Sequence, residues 1–416
     1  SKEVDDRYNY LRVYPDKDVY APITGYLQRS NQTGIERTQN AILSGEDPQL
    51  FVNRLVDLLK GDTHQGGNVL LTLDRKAQEA AYRTLRETVG KNGEGAVVAI
   101  QPKTGRILAM VSYPSFDPNA LATHDSEAAA AAYQRLEDNK RQPLLNRAIQ
   151  TRLFPGSTFK IVTAAAAIEE GLYDADDEVP AGATWQAPGT TGEHNVIDNE
   201  GRSGCNPDEI PFSQAMEQSC NTTFAKLAVE VGPEKLRERA EAFGFNSDYL
   251  LDLEPQARSV FPEEVVDTID GEQQEPRELN DAETARSGFG QFSVQATPLQ
   301  MAMVVAAIAN RGALMRPYLV EEIQTANFDV LKTTEPDKLR DAISPQTAAQ
   351  LTDMLVATVD EGTAFPAAID GVSVAGKTGT AQTGLDKSHV WFVAFAPAEA
   401  PRVAVAVMLM FEAVAA

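Results

Sequence analysis

The chain has 416 residues, 43% of them hydrophobic and 23% charged, and a formal net charge of -23. That is room for one large and one small globular domain, with too much apolar content for a disordered chain. The excess of acids argues against nucleic acid as a partner and against a polybasic membrane patch, since both need clustered lysine and arginine.

Two cysteines exclude a disulfide-rich scaffold and a cysteine-based zinc site, and His64, His124, His194 and His389 are too scattered to form a metal cluster by spacing. The chain contains no H-E-x-x-H, G-x-x-x-x-G-K or G-x-S-x-G, so metal hydrolysis, nucleotide binding and the α/β-hydrolase elbow are not indicated. The longest apolar runs, Met301–Ala309 and Val403–Phe411, fall well short of the roughly 20 residues that cross a bilayer.

The first 60 residues are polar, with turn signals at Thr24-Gly25 and Ser44-Gly45, and Gln49–Leu59 reads as a short amphipathic helix. Asn68–Leu73 is strand-like, and Asp74 is a good N-cap for a helix running to about Leu85. Ala96–Gln101 and Arg106–Ser112 predict a hairpin closed by Pro102-Lys103-Thr104-Gly105, and Glu127–Leu136 an alanine-rich helix. A long helix is expected from Ser157 to about Glu170, ended by Gly171. Phe212–Glu230, Gly232–Phe243, Thr297–Asn310 and Pro345–Asp360 are also helical in pattern. Between Asn246 and Arg286 acids outnumber bases 12 to 3, which reads as a solvated loop region. Val372–Thr378, Val390–Ala396 and Arg402–Met410 are strand-like. Helices in the middle and strands at both ends predict an α+β fold: one sheet assembled from the two ends of a domain, with helices packed around it.

Ser157-Thr158-Phe159-Lys160 is the sole S-x-x-K. On a helix, positions i and i+3 share a face, about 5–6 Å apart at Cβ. A buried lysine can lose its proton at neutral pH and act as base toward the serine hydroxyl, while the helix N-terminus favours developing negative charge. Ser219-Cys220-Asn221 is the sole S-x-N; its hydroxyl can relay a proton, and its amide can hydrogen-bond both a lysine and a substrate amide. Lys377-Thr378-Gly379-Thr380 puts a cation and hydroxyls on a strand where Gly379 lets a substrate backbone approach.

Each motif alone has an ordinary structural reading: a capping serine with a surface lysine, a helix cap, a turn. Lys103-Thr104-Gly105 repeats the last tripeptide in a predicted hairpin turn and is read as turn chemistry. The three motifs in the order S-x-x-K, S-x-N, K-T-G carry far more weight together.

With these motifs the chain resembles the penicillin-recognising serine transferases, specifically the class B penicillin-binding proteins. Asn146-Arg147-Ala148, Thr297–Ala302, His389–Val393 and the Ala96–Ser112 hairpin add to the likeness. Tyr20–Gly25 and the Cys205/Cys220 pair are most similar to the short actinobacterial members. The resemblance implies a transpeptidase domain, a central antiparallel sheet flanked by helices over residues 75–416, and a small non-catalytic pedestal over residues 1–74. It implies a serine D,D-transpeptidase that cross-links peptidoglycan and is acylated by β-lactams.

In that scheme Ser157 attacks the D-Ala-D-Ala carbonyl, Lys160 is the base, and Ser219 passes the proton to the leaving amine beside Asn221. Lys377, Thr378, Gly379 and Thr380 hold the terminal carboxylate, and the N–H groups of Ser157 and Thr380 form the oxyanion hole. The implied partners are a D-Ala-D-Ala donor, an amine acceptor, β-lactams, and membrane proteins of division or elongation; no metal or cofactor is called for. The implied location is the extracytoplasmic face of the membrane, with an anchoring helix ahead of Ser1 and a further helix after the last strand. In that compartment a disulfide between Cys205 and Cys220 is plausible and would sit inside the S-x-N motif, the alternative being two free thiols, one of them buried.

Two readings compete: a D,D-carboxypeptidase or β-lactam hydrolase of the same fold, and a non-catalytic scaffold for division proteins. Cys220 stands where class A hydrolases carry Asp, and Glu275–Asn280 imitates their E-x-x-L-N but places Pro276 at the required Glu. His389 is read as a packed or edge-of-site histidine and Trp391 as a core residue on a strand bordering the site.

Overall fold

The computed structural model describes residues 1–28, 31–50, 66–269, 272–381 and 388–410. The predicted helix over Gln49–Leu59 lies outside them, apart from a short turn at Pro48–Leu50.

In chain order, strand β1 (Asn68–Leu71) leads to Asp74, whose carboxylate caps helix α1 (Arg75–Val89) by accepting from the Ala77 N–H at 2.8 Å. The helix runs a turn beyond Leu85 because the apolar stripe continues to Val89 and stops only at Gly90, at φ +65. Strands β2 (Glu94–Ile100) and β3 (Ile107–Tyr113) form the expected antiparallel hairpin. Helix α2 (Ser126–Glu137) follows, capped by Asp125.

Helix α3 (Lys160–Glu169) is preceded by a 3-10 turn, Gly156–Phe159, so the expected helix at Ser157 begins in tighter winding. The span Phe212–Glu230 is not continuous. It forms α4 (Phe212–Glu217) and α5 (Asn221–Val231), broken where Ser219 adopts φ +58. Helices α6 (Pro233–Ala242) and α7 (Asp281–Ser287) come next.

The acidic stretch between Asn246 and Arg286 is therefore more than a solvated loop. Tyr249, Leu250, Leu253 and Phe261 are buried, and Asp252 Oδ2 accepts from the Leu319 N–H at 2.6 Å. Its acids alternate with apolar residues that reach the core, a pattern that charge counting averages away.

Helix α8 (Pro298–Ala309) is apolar on every side and is buried from Pro298 to Ile308. The hairpin β4 (Val320–Gln324) and β5 (Val330–Thr333) joins β1 in a three-stranded sheet. After α9 (Pro345–Asp360) come β6 (Ala375–Ala381), β7 (His389–Ala396) and β8 (Val403–Met410). Strand β6 starts three residues later than its pattern suggests, because Val372 bridges Ile369 across a turn at Gly371, φ +75.

The central sheet has the order β6-β7-β8-β2-β3, antiparallel throughout, so the two ends of the region meet at the β8–β2 ladder. Helix α8 lies against β8, β2 and β7, α1 against β3 and β2, and α9 against the edge strand β6. Helix α3 is packed among α5, α6 and α9, and its Ala164–Ala167 run is buried, which lets those neighbours come close. This clamps the N-terminus of α3 beside the middle of β6.

Candidate active site

The approach of the α3 turn to β6 is backbone against backbone. A Cβ on Gly156, at φ +54, would fall 2.5 Å from the Thr380 carbonyl oxygen. One on Gly379 would fall 2.9 Å from the Pro155 carbonyl oxygen and 3.1 Å from the Thr158 nitrogen. One on Gly290 would sit 2.2 Å from the Gly156 carbonyl oxygen, and the Gly156 N–H donates to the Gly290 carbonyl at 3.0 Å. Trp391, fully buried on β7, braces the segment ahead of Ser157 by donating its Nε1–H to the Phe154 carbonyl at 3.0 Å.

Lys160 is fully buried, and its Nζ donates to the Ser219 carbonyl at 2.7 Å, Ser219 Oγ at 3.1 Å and Asn221 Oδ1 at 2.7 Å. Every partner is neutral. Burial, the cations Lys377 and Arg202, and only weak opposition from Glu200 push the Lys160 amine well below the ordinary lysine range. The break between α4 and α5 makes this geometry. Left-handed Ser219 turns both its carbonyl and its hydroxyl toward Lys160, while Asn221, first residue of α5, has its amide held by the Asp198 carbonyl at 2.9 Å.

Cys205 and Cys220 are joined, with Cα atoms 5.6 Å apart, which ties the loop carrying Glu200 and Arg202 to that break.

Lys377 lies fully buried on β6, in register with Val393, and its Nζ donates to the Thr378 carbonyl at 3.2 Å. No carboxylate pairs with it among the described residues; burial first, and then Arg202, bring it down to about 7. Thr378 Oγ1 reaches Thr363 Oγ1 at 3.3 Å, Gly379 is buried against the serine turn, and Thr380 is exposed.

Ser157, Asn221 and Thr380 line one cleft of about 260 Å³, with His194, Asp198, Glu200, Arg286, Phe289 and Gln291. The eight residues proposed from sequence thus converge: Lys160, Ser219 and Asn221 by hydrogen bonds, Lys377 electrostatically, and Thr378, Gly379 and Thr380 along the strand facing Ser157. Lys103 is not among them; it sits at the hairpin turn on a separate cavity with Arg311 and Arg402. His389, also outside the cleft lining, is half-buried with an unpartnered Nδ1, and burial holds its imidazole below the ordinary range.

Sequence reasoning missed Arg202, Glu200, Arg286 and the loop at Phe289–Phe292. The glycine pair Gly288 and Gly290, directly ahead of an apolar helix, is the signal that could have flagged the last of these: a Cβ on Gly288 would fall 2.3 Å from Ala228 Cβ.

This arrangement supplies a partly exposed hydroxyl at a helix start, a buried amine without a carboxylate partner among the described residues, and a second buried cation on an approachable edge strand. It suits nucleophilic attack on a carbonyl that carries a nearby carboxylate.

Two family models match the chain. The penicillin binding protein transpeptidase domain matches residues 95–413, and the penicillin binding protein A dimerisation domain matches residues 1–69. The chain is 42% identical to the peptidoglycan D,D-transpeptidase PbpA of Mycolicibacterium smegmatis, over 98% of this chain and 81% of that protein. To PbpA of Mycobacterium tuberculosis H37Rv the identity is 40%, with the same coverage. Among solved structures, the ceftriaxone acyl-enzyme of M. tuberculosis penicillin-binding protein A superposes with a TM-score of 0.87 at 39% identity, covering 98% of this chain and 88% of that one. The imipenem acyl-enzyme gives 0.88 at 38% identity, covering 100% and 91%.

Proposed function

The chain belongs to the penicillin-binding protein transpeptidase family, and from that premise we propose that it is a serine D,D-transpeptidase acting on peptidoglycan stem peptides. The observation that carries this reading is the buried Lys160 amine, held by three neutral oxygens and pushed toward its unprotonated form beside the cleft that contains Ser157.

Lys160 takes the proton of Ser157 Oγ as that oxygen attacks the carbonyl of the penultimate D-Ala. The tetrahedral oxyanion rests on the N–H groups of Ser157 and Thr380. The C–N bond then breaks, and the proton held by Lys160 passes through Ser219 Oγ to the departing D-Ala amine. Asn221 fixes the Lys160 amine and offers its amide to the substrate. An acceptor amine attacks the ester carbonyl, gives up a proton, and Ser157 Oγ is restored. Lys377, Thr378 and Thr380 hold the terminal carboxylate, and Gly379 admits the peptide edge-on. A β-lactam follows the first half of this path, and its ring-opened acyl group stays on Ser157.

Residues 1–74 form the pedestal and 75–416 the transpeptidase domain. The partners are a D-Ala-D-Ala donor, an amine acceptor, β-lactams, and membrane proteins of division or elongation. The site of action is the extracytoplasmic face of the membrane, reached through an anchor ahead of Ser1; no helix among the described residues is long and apolar enough to cross a bilayer.

Incubation with a labelled penicillin, followed by intact mass, tests the proposal. The expected result is a stable adduct on Ser157, lost in Ser157→Ala, nearly lost in Lys160→Ala and kept in Lys103→Ala. Rapid release would indicate a hydrolase, and no adduct a scaffold; either outcome sinks the transpeptidase reading.

A further inference from the structure

Arg202 leads into the short 3-10 turn Ser203–Cys205, and the bond from Cys205 to Cys220 holds that turn against the break between α4 and α5. Its Nη1 donates to the Ser219 carbonyl at 3.2 Å and the Asn199 carbonyl at 3.3 Å, and its Nη2 to Glu200 Oε2 at 2.8 Å. The Ser219 carbonyl also accepts from Lys160 Nζ at 2.7 Å. One peptide oxygen therefore accepts from two side chains, the Lys160 amine and the Arg202 guanidinium, and this fixes the peptide plane of a residue in the sparsely populated left-handed region.

The charge matters as much as the hydrogen bond. The charged groups bearing on Lys160 are Lys377 from β6, and Arg202 and Glu200 from the disulfide-tied loop. Glu200 acts in the opposite sense, but its side chain is 41% exposed against 26% for Arg202, so water screens it more. Arg202 also bears on Lys377, whereas Glu200 does not. A guanidinium is suited to this place because it stays charged at any working pH and can reach three oxygens from one plane.

We propose that Arg202 is a positioning residue for the acylation step, fixing the carbonyl that orients the Lys160 amine and presenting a permanent positive charge to both Lys160 and Lys377. It is not among the residues that line the cleft with Ser157. The inference rests on the reading of Lys160 as the base of acylation.

The test is the pH dependence of the second-order rate constant for acylation by a fluorescent penicillin, measured on the wild type, Arg202→Gln, Arg202→Lys and Glu200→Gln, with Lys160→Ala as control. Removing the Arg202 charge is expected to move both limbs of the profile up by about one pH unit, a tenfold rate loss on the acid side. Arg202→Lys is expected to restore the limbs but not the full plateau, because an ammonium cannot serve three oxygens at once. Glu200→Gln is expected to move the acid limb the other way and leave the alkaline limb in place.

A profile for Arg202→Gln that is scaled but not shifted, or a Glu200→Gln acid limb that does not move down, overturns the inference. If Arg202→Gln does not fold, Glu200→Gln still decides. Should Lys160→Ala acylate as fast as wild type, the base assignment falls and takes this inference with it; unshifted profiles with an inactive Lys160→Ala overturn this inference alone.

Discussion

Two buried lysines define the site at the scale of single residues, and they are asked for opposite things. In the proposed mechanism Lys160 must be neutral to accept a proton, and Lys377 must be charged to hold a carboxylate. Both are fully buried, yet Lys160 feels Lys377 and Arg202 as like charges, while Arg202 is the chief charge acting on Lys377. The sign follows directly. In that mechanism the rate is expected to rise with pH as Lys160 loses its proton, and to fall above about pH 7 as Lys377 loses its own. The acylation profile of the free protein is therefore expected to be a bell whose limbs belong to the coupled pair. A bound carboxylate favours charged Lys377, so the alkaline limb should lie at higher pH when measured at saturating substrate. Stopped-flow acylation across pH 5 to about 10 checks both; a rate that keeps rising through the alkaline range would remove Lys377 from carboxylate binding. Motif order was enough to propose Ser157, Lys160, Ser219, Asn221 and Lys377 together, and the structure places them close to one another. Arg202 was not legible in the sequence, because a lone arginine in a polar loop has no pattern.

Secondary-structure elements deliver these residues through their ends and interruptions. Asn221 opens α5, Ser219 sits in the break before it, and Ser157 lies in the 3-10 turn ahead of α3. The periodicity of Phe212–Glu230 shows one amphipathic helix, since the apolar stripe resumes in phase after the break. A left-handed serine leaves no mark on hydrophobic spacing. The loop after α7 depends on Gly290, whose φ of +75 and contact with Gly156 leave no room for a side chain. Gly290→Ala is expected to cost about 1–3 kcal/mol or more and to slow acylation at least tenfold, because the serine turn must shift. Gly171→Ala is the control. Gly171 is also left-handed, at φ +69, but a Cβ there meets nothing within 4 Å, so stability drops by about 1 kcal/mol and the acylation rate holds. Denaturant midpoints with acylation rates separate the two; equal acylation loss in both variants would refute the close-approach argument.

Taken as a whole molecule, the N-terminal segment shares the catalytic core. Ile23, Ile35 and Ile42 belong to the same apolar cluster as Phe159 and Trp391, Asn146 Nδ2 donates to the Pro22 carbonyl at 3.0 Å, and Tyr82 Oη donates to Asp18 Oδ2 at 2.6 Å. Strand β1 is completed by β4, some 250 residues away in the sequence. Ile23→Ala is expected to destabilise the whole chain by about 2–5 kcal/mol, seen by calorimetry as one transition moving to lower temperature. Two separate transitions, with the upper one unmoved, would show instead that the segment folds by itself.

The sequence by itself determined the strands of the central hairpin, most of the helices, and the set of residues proposed for acyl transfer. These follow from local periodicity, capping chemistry and motif order. Tertiary structure alone decided that β8 pairs with β2, that the acidic stretch contributes buried side chains, and that Arg202 shares the Ser219 carbonyl with Lys160. These are contacts between positions far apart in the chain, set by packing and burial, and a linear pattern of residue types carries no record of them.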